Sequence, residues 1–172
     1  LPQPVEDFRR HLARCLIEGL PLKRDNLTRF LSNDRFALPP LHNFFFMRDA
    51  AACVNKRVLI GRMASAVRER EALIMEAIFD FHPLFETETV NPLRLGFDRP
   101  DVTIEGGDVL VARHDVLLVG LGQRTSTQAV DFILEQLKGL PGPRHVIVQE
   151  LPFEPESFIH LDMVFTFLDR DA

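Results

Sequence analysis

The chain repeats itself. An apolar segment runs through Asp49 to Val54, turns at Asn55-Lys56 and returns as Arg57-Val58-Leu59-Ile60-Gly61, before a helical pattern and another extended segment. The same order recurs over residues 102–148. In each copy the acid of the first strand, Asp49 or Asp108, stands the same distance ahead of a glycine, Gly61 or Gly120. A repeat constrains a fold more than local propensity does, because each copy must leave a face for its neighbour to cover. It predicts an α/β chain of strand-strand-helix-strand (ββαβ) units.

In the first unit Ser65 is expected to cap a helix carrying Val67, Leu73, Ile74, Ala77, Ile78 and Phe81, ended by His82-Pro83, with an extended segment over 89–97 after it. In the second, strands 102–111 and 116–120 flank a turn at Arg113-His114-Asp115. A helix over 126–138 follows, with Thr125 and Gln128 at capping-box spacing and Val130, Ile133, Leu134 and Leu137 as its buried stripe, then a strand over 144–148. A third unit opens with a strand over 157–168 and stops unfinished, which reads as a truncation or as a point past which the chain was not captured. Ahead of the repeat, residues 5–19 predict an amphipathic helix with Phe8, Leu12, Leu16 and Leu20 on one stripe, ended by Pro21. A short helix over 25–31 follows, and Leu38-Pro39-Pro40 breaks regular structure. The expected division is a helical arm over 1–40 and the repeat over 41–172.

At 172 residues, 46% hydrophobic and 26% charged, the chain is long enough for one soluble domain with a core. A net charge of -5 without a basic block sets aside nucleic acid and an anionic membrane surface as partners. No apolar run approaches the roughly 18 residues of a spanning helix, and the N-terminus lacks a signal-peptide layout, so the cytoplasm is expected. Cys15 and Cys53 are the only thiols, which fits a reducing compartment, and both are expected to be packed core thiols. The first residue is not Met, which hints at a piece of something longer.

The costly stretch is Ile104-Glu105-Gly106-Gly107-Asp108-Val109, where two acids flank a glycine pair inside an apolar strand pattern. His160 and Asp162, two apart in the expected third-unit strand, would project to one face. The repeat would then present Phe46, Asp49, Glu105, His160 and Asp162 around one axis. Two acids there suit a planar cation such as a guanidinium, and a histidine beside Glu105 suits proton transfer. Each piece has a plainer reading, a structural glycine turn or a satisfied core histidine. A metal is the lesser alternative, since no paired histidine spacing supports it and His11, His42, His82, His114 and His145 are scattered. The Arg68-Glu69-Arg70-Glu71 run alone reads as a solvated helix face.

Taken together, Phe46-Met47-Arg48-Asp49, Ile104-Glu105-Gly106-Gly107-Asp108, Gly122-Gln123-Arg124-Thr125-Ser126 and His160-Leu161-Asp162-Met163-Val164-Phe165-Thr166 resemble bacterial arginine deiminases in order and spacing. The resemblance covers about residue 38 onward, and the helical arm resembles the tail of that family's helical insertion. Met47, Ala50 and His42 depart from the family's usual Thr, Pro and Pro. The resemblance implies a partial pentein-like α/β propeller that hydrolyses arginine to citrulline and ammonia through a cysteine-bound amidino intermediate, without a cofactor or metal. It assigns Asp49 and Asp162 to gripping the guanidinium and Glu105 and His160 to protons. Asn43, Phe46, Arg68 and Arg124 would line the pocket or hold the substrate's amino-acid end, which replaces the solvated-face reading of Arg68. The family's nucleophilic cysteine lies beyond the histidine segment, where this chain has ended, so the chain alone is expected to be inactive. A non-catalytic guanidine-binding or interaction module, and a relative acting on agmatine or a methylated arginine, are the rival expectations. Exposed strand edges of a broken repeat would favour self-association.

Overall fold

Both copies of the repeat fold alike. In the first, β3 (Ala51–Val54) and β4 (Arg57–Ile60) form an antiparallel hairpin in the register Ala51↔Ile60, and β4 pairs in parallel with β5 (Glu88–Val90). In the second, β6 (Val109–Arg113) and β7 (Val116–Leu121) are antiparallel, and β7 runs parallel to β8 (His145–Glu150). Parallel neighbours need a crossover, which α3 (Glu69–Phe81) and α4 (Thr127–Leu137) provide. The first hairpin closes on Asn55-Lys56, with Asn55 at φ 56°, as a two-residue turn requires.

The computed structural model describes residues 3–22, 27, 35–97, 99–138 and 145–169. Two compact units divide the chain, Leu1–Phe45 and Phe46–Ala172. In the first unit, α1 (Gln3–Glu18) precedes a small antiparallel pair, β1 (Leu20–Pro21) and β2 (Phe36–Leu38). The helix stops ahead of Gly19, so Pro21 does not end it. Phe8 and Leu12 of its apolar stripe are exposed. The helix expected over 25–31 lies outside the described residues except for Leu27.

The second unit contains both ββαβ copies and the opening of a third segment. Between its sheets and helix α4 lies a core that includes Val54, Leu59, Val90, Val102, Ile104, Leu117, Val119, Ala129 and Phe132. Phe97 meets Phe132 edge-on, with centroids 4.7 Å apart. The two copies also join through a two-way backbone bridge. Arg62 N donates to Ile104 O at 2.9 Å, and Ile104 N donates to Arg62 O at 2.8 Å. None of the helices among the described residues is long and apolar enough to cross a membrane.

Several expected elements are interrupted. Residues 102–111 are not one strand: Ile104 makes the isolated bridge, Gly106–Asp108 forms a tight 3-10 turn, and β6 begins at Val109. Asp49 sits in a helical turn, α2 (Met47–Ala50), ahead of β3. The segment expected as a strand over 157–168 contains a 3-10 turn, Glu156–Phe158, and a helical turn, α5 (Leu161–Val164). The extended segment over 89–97 shrinks to β5, followed by turns. Ser65 makes no side-chain cap, and a 3-10 turn, Ala66–Arg68, precedes α3. The buried face of α3 is Glu71, Ala72, Met75 and Glu76, leaving Leu73 and Phe81 exposed. Two ion-paired glutamates rotate that helix relative to its apolar pattern, since Glu71 meets Arg68 and Glu76 meets Arg94. Cys53 is exposed on β3, so it is not a packed core thiol.

Candidate active site

Three short turns carry the site, and each begins just after a residue of interest. Phe46 precedes α2, Glu105 precedes the Gly106–Asp108 turn and His160 precedes α5. The two glycines allow the middle turn to lie against the other two. A Cβ on Gly106 would collide with the carbonyl oxygen of Arg48, and one on Gly107 would stand 2.8 Å from His160 Cγ and 3.1 Å from Asp49 Oδ1.

Asp49, Glu105 and His160 meet in a buried cluster, their donor and acceptor atoms within 4.8 Å of one another. His160 Nε2 and Glu105 Oε2 are 2.9 Å apart, and His160 Nδ1 lies 3.8 Å from Asp49 Oδ1. The other Glu105 oxygen accepts from the Ala64 amide at 3.0 Å, which fixes the carboxylate from behind. Arg68 enters from the 3-10 turn ahead of α3. Its Nη1 donates to Asp49 Oδ2 at 2.7 Å and lies 3.7 Å from Glu105 Oε2, while Nε and Nη2 donate to Glu71 Oε2 at 2.9 and 2.8 Å.

Arrangement of charge explains the proton affinities. Burial pulls the His160 imidazole down, but the hydrogen bond to Glu105 and the charges of Asp49, Asp108 and Glu105 outweigh it, leaving its pKa raised. Burial pushes Glu105 up, and the His160 and Ala64 hydrogen bonds with the His160 and Arg124 charges hold it below the ordinary value. Burial also lowers Arg68, against hydrogen bonds and charges from Glu71 and Asp49 that leave it raised, so this guanidinium stays cationic. Three buried groups of this kind would suit a metal ion. Here the positive charge they need is supplied by Arg68.

Asp162 is not on the same strand face as His160. Placed inside α5, it lies at the rim, its carboxylate 3.7 Å from Arg48 Nη1, while His160 is buried. Burial raises the Asp162 pKa against the opposing charges of Arg48 and His160. Arg124 Nη1 approaches Glu105 Oε1 at 3.7 Å from a partly exposed position. Phe46 stands half exposed at the head of α2. Asn43 belongs to the first compact unit, whereas every other residue of the site belongs to the second.

Sequence reasoning gave no site role to four contributors, although it singled out Asp108 as a costly acid. Glu71 anchors Arg68 and Arg48 faces Asp162. Asp108 and Thr125 form a fully buried pair, with Thr125 Oγ1 donating to Asp108 Oδ2 at 2.7 Å. Thr125 is therefore not the cap of α4. Ser126 fills that place, its Oγ accepting from the Ala129 amide. The three-residue spacing of Arg68 and Glu71 was the available signal for their pairing.

An arginine deiminase family model matches residues 17–172. The arginine deiminase of Listeria innocua is 38% identical over 135 residues, 78% of this chain and 32% of that protein. That of Staphylococcus haemolyticus is 36% identical over 158 residues, 90% of this chain and 38% of that protein. The chain thus spans about a third of the length of the curated relatives it matches. Among solved structures, the N-terminal domain of ArgZ, an arginine dihydrolase from Cyanobacteria, aligns with a TM-score of 0.54 at 24% identity, covering 68% of this chain and 38% of that one. A DDAH from Pseudomonas aeruginosa complexed with citrulline aligns with a TM-score of 0.51 at 21% identity, covering 81% and 58%. These likenesses are of fold, and they identify the paired ββαβ units as a partial pentein-like α/β propeller. With a family match across most of its residues and curated relatives above one-third identity, the chain belongs to the arginine deiminase family.

Proposed function

We propose that this chain supplies the guanidinium-binding and proton-handling part of an enzyme that hydrolyses L-arginine to L-citrulline and ammonia. The observation that carries the reading is the chain's own guanidinium, Arg68, seated on Asp49 beside the His160–Glu105 pair. A carboxylate already accepting a guanidinium in a buried, charge-balanced setting has the chemistry to accept another. Arg68 engages Oδ2 of Asp49, so a substrate guanidinium would use Oδ1 and the Asp162 carboxylate at the rim. Glu105 and His160 would move protons to the departing amine, with Glu105 setting the imidazole's tautomer and basicity. Arg124 and Phe46 would hold the amino-acid end, and Arg68 would shape the pocket by fixing Asp49.

Neither described thiol fits the role of nucleophile: Cys53 is exposed on β3, and Cys15 contacts His11 in the first unit. With neither thiol placed in the Asp49–Glu105–His160 cluster, the 172-residue chain is expected to release no citrulline. Two cysteines, both free, are consistent with a reducing, cytoplasmic setting.

Calorimetric titration of the 172-residue chain with L-arginine tests the reading. Binding that is weakened in Asp49→Ala and Asp162→Ala is expected, with agmatine and methylated arginines competing less well. Absence of arginine binding by the folded chain would overturn it. Size-exclusion chromatography of the same sample tests the expected self-association.

A further inference from the structure

Asp108 has no part in the proposed grip or proton transfer, yet it is fully buried between the segments that perform them. Its Oδ1 accepts from the Leu161 amide at 2.9 Å, the first peptide after His160. Its Oδ2 accepts from Thr125 Oγ1, and that hydroxyl oxygen accepts in turn from the Glu105 amide at 3.3 Å. One carboxylate therefore ties the backbone of the imidazole to the backbone of its partner acid. The space is reserved for it, since a Cβ on Gly120 would stand 2.5 Å from Asp108 Oδ1 and 3.0 Å from Leu161 Cβ.

We propose that Asp108 is the positioning residue for the His160–Glu105 pair, holding the peptide after His160 and, through Thr125, the peptide of Glu105 at the separation that makes their side chains meet. The proposal rests on the reading that this pair handles protons, and it extends that reading to a residue that touches no substrate. Among the described residues, Leu161 N and Thr125 Oγ1 are the donors to this carboxylate, and both bonds lie on the path between the two functional groups. Its charge is a separate influence on His160, alongside those of Asp49 and Glu105. A test must therefore separate charge from the hydrogen bond.

Two variants do so in the 172-residue chain. Asp108→Asn and Asp108→Ala remove the same charge, but only asparagine keeps an oxygen for the Leu161 amide. Imidazole 15N spectra recorded across a pH series report the His160 midpoint and tautomer, with His160→Gln identifying its signal among the six histidines. The expected midpoint in Asp108→Ala lies lower than in Asp108→Asn by about half a pH unit or more, with the Asn variant retaining the wild-type tautomer. Equal midpoints and tautomers in the two folded variants would overturn the proposal, because Asp108 would then act through charge alone.

Should the alanine variant not fold, Leu161→Pro removes the donor and keeps the Asp108 charge. Proline is compatible with the first position of a helical turn and with the extended backbone of His160 before it. A lowered His160 midpoint in that variant supports the proposal, and an unchanged one overturns it. Arginine binding is measured in the same samples. Its absence in the wild type would overturn the guanidine reading while leaving the comparison of histidine signals intact.

Discussion

The guanidinium of Arg68 lies against the carboxylate of Asp49 at 2.7 Å while its other two nitrogens are held by Glu71. All three side chains are buried. Removing the cation leaves two carboxylates without their compensating charge, and such a loss typically costs about 3–5 kcal/mol. Arg68→Ala should therefore lower the urea midpoint sharply at pH 7, with Arg68→Lys intermediate because a lysine cannot span both acids with a fork of donors. An alanine variant as stable as the wild type would refute this role.

Asp162 should separate binding from stability. Its pair with Arg48 is partly exposed at 3.7 Å, so Asp162→Ala should change unfolding free energy by less than about 1 kcal/mol. The same variant should lose roughly tenfold to a hundredfold in arginine affinity, the worth of charge-assisted hydrogen bonds. Calorimetry and urea unfolding on one preparation measure both, and an equal loss in the two would contradict the assignment.

The acid–base pair gives stability a bounded pH window. His160 has a raised folded pKa, so its contribution is complete below the ordinary histidine value of about 6.5 and is lost as pH rises through the folded one. Glu105 has a lowered folded pKa, so its contribution is present above the ordinary glutamate value and is lost as pH falls through the folded one. Asp108 acts in the opposite sense. Burial, opposed by the Thr125 and Leu161 hydrogen bonds, pushes its carboxyl up to about 6, so the folded state takes up a proton first and gains stability as pH falls from about 6 to about 4. Urea midpoints from pH 4 to 9 should lose their alkaline decline in His160→Gln and this acid-side gain, on the order of 3 kcal/mol at most, in Asp108→Asn. Unaltered profiles would count against both shifts.

Glycine pairs differ from isolated glycines in what they permit. Gly106→Ala would drive a methyl into the Arg48 carbonyl, whereas the nearest atom to a Cβ on Gly122 is 3.4 Å away. A loss of about 1–3 kcal/mol or more is expected for the first and little for the second, measured by thermal unfolding. Comparable losses would mean that the close approach does not constrain this turn.

The repeat was legible because paired strands and a crossover helix leave periodic apolar patterns, and the Asp49-to-Gly61 and Asp108-to-Gly120 spacings mark the same register twice. The meeting of Asp49, Glu105 and His160 was also legible, though through the wrong local geometry. A strand was expected around each acid where the chain makes a helical or 3-10 turn, because four-residue turns are too short to imprint a period of their own. That error misplaced Asp162, which sits inside α5 facing Arg48 and not on a strand face shared with His160. The buried glutamates of α3 were hidden for a different reason. Glu71 and Glu76 look like solvent-facing charges until Arg68 and Arg94 are seen to reach them from outside the helix.

The reciprocal bridge between Arg62 and Ile104 implies an order of assembly during synthesis. All three strands of the first sheet lie within residues 51–90. Glu105 joins the first copy when that bridge closes, but its imidazole partner arrives 55 residues later. A nascent chain therefore holds the acids of the cluster before it holds their histidine, with Arg68 as the cation that keeps them company in the interval.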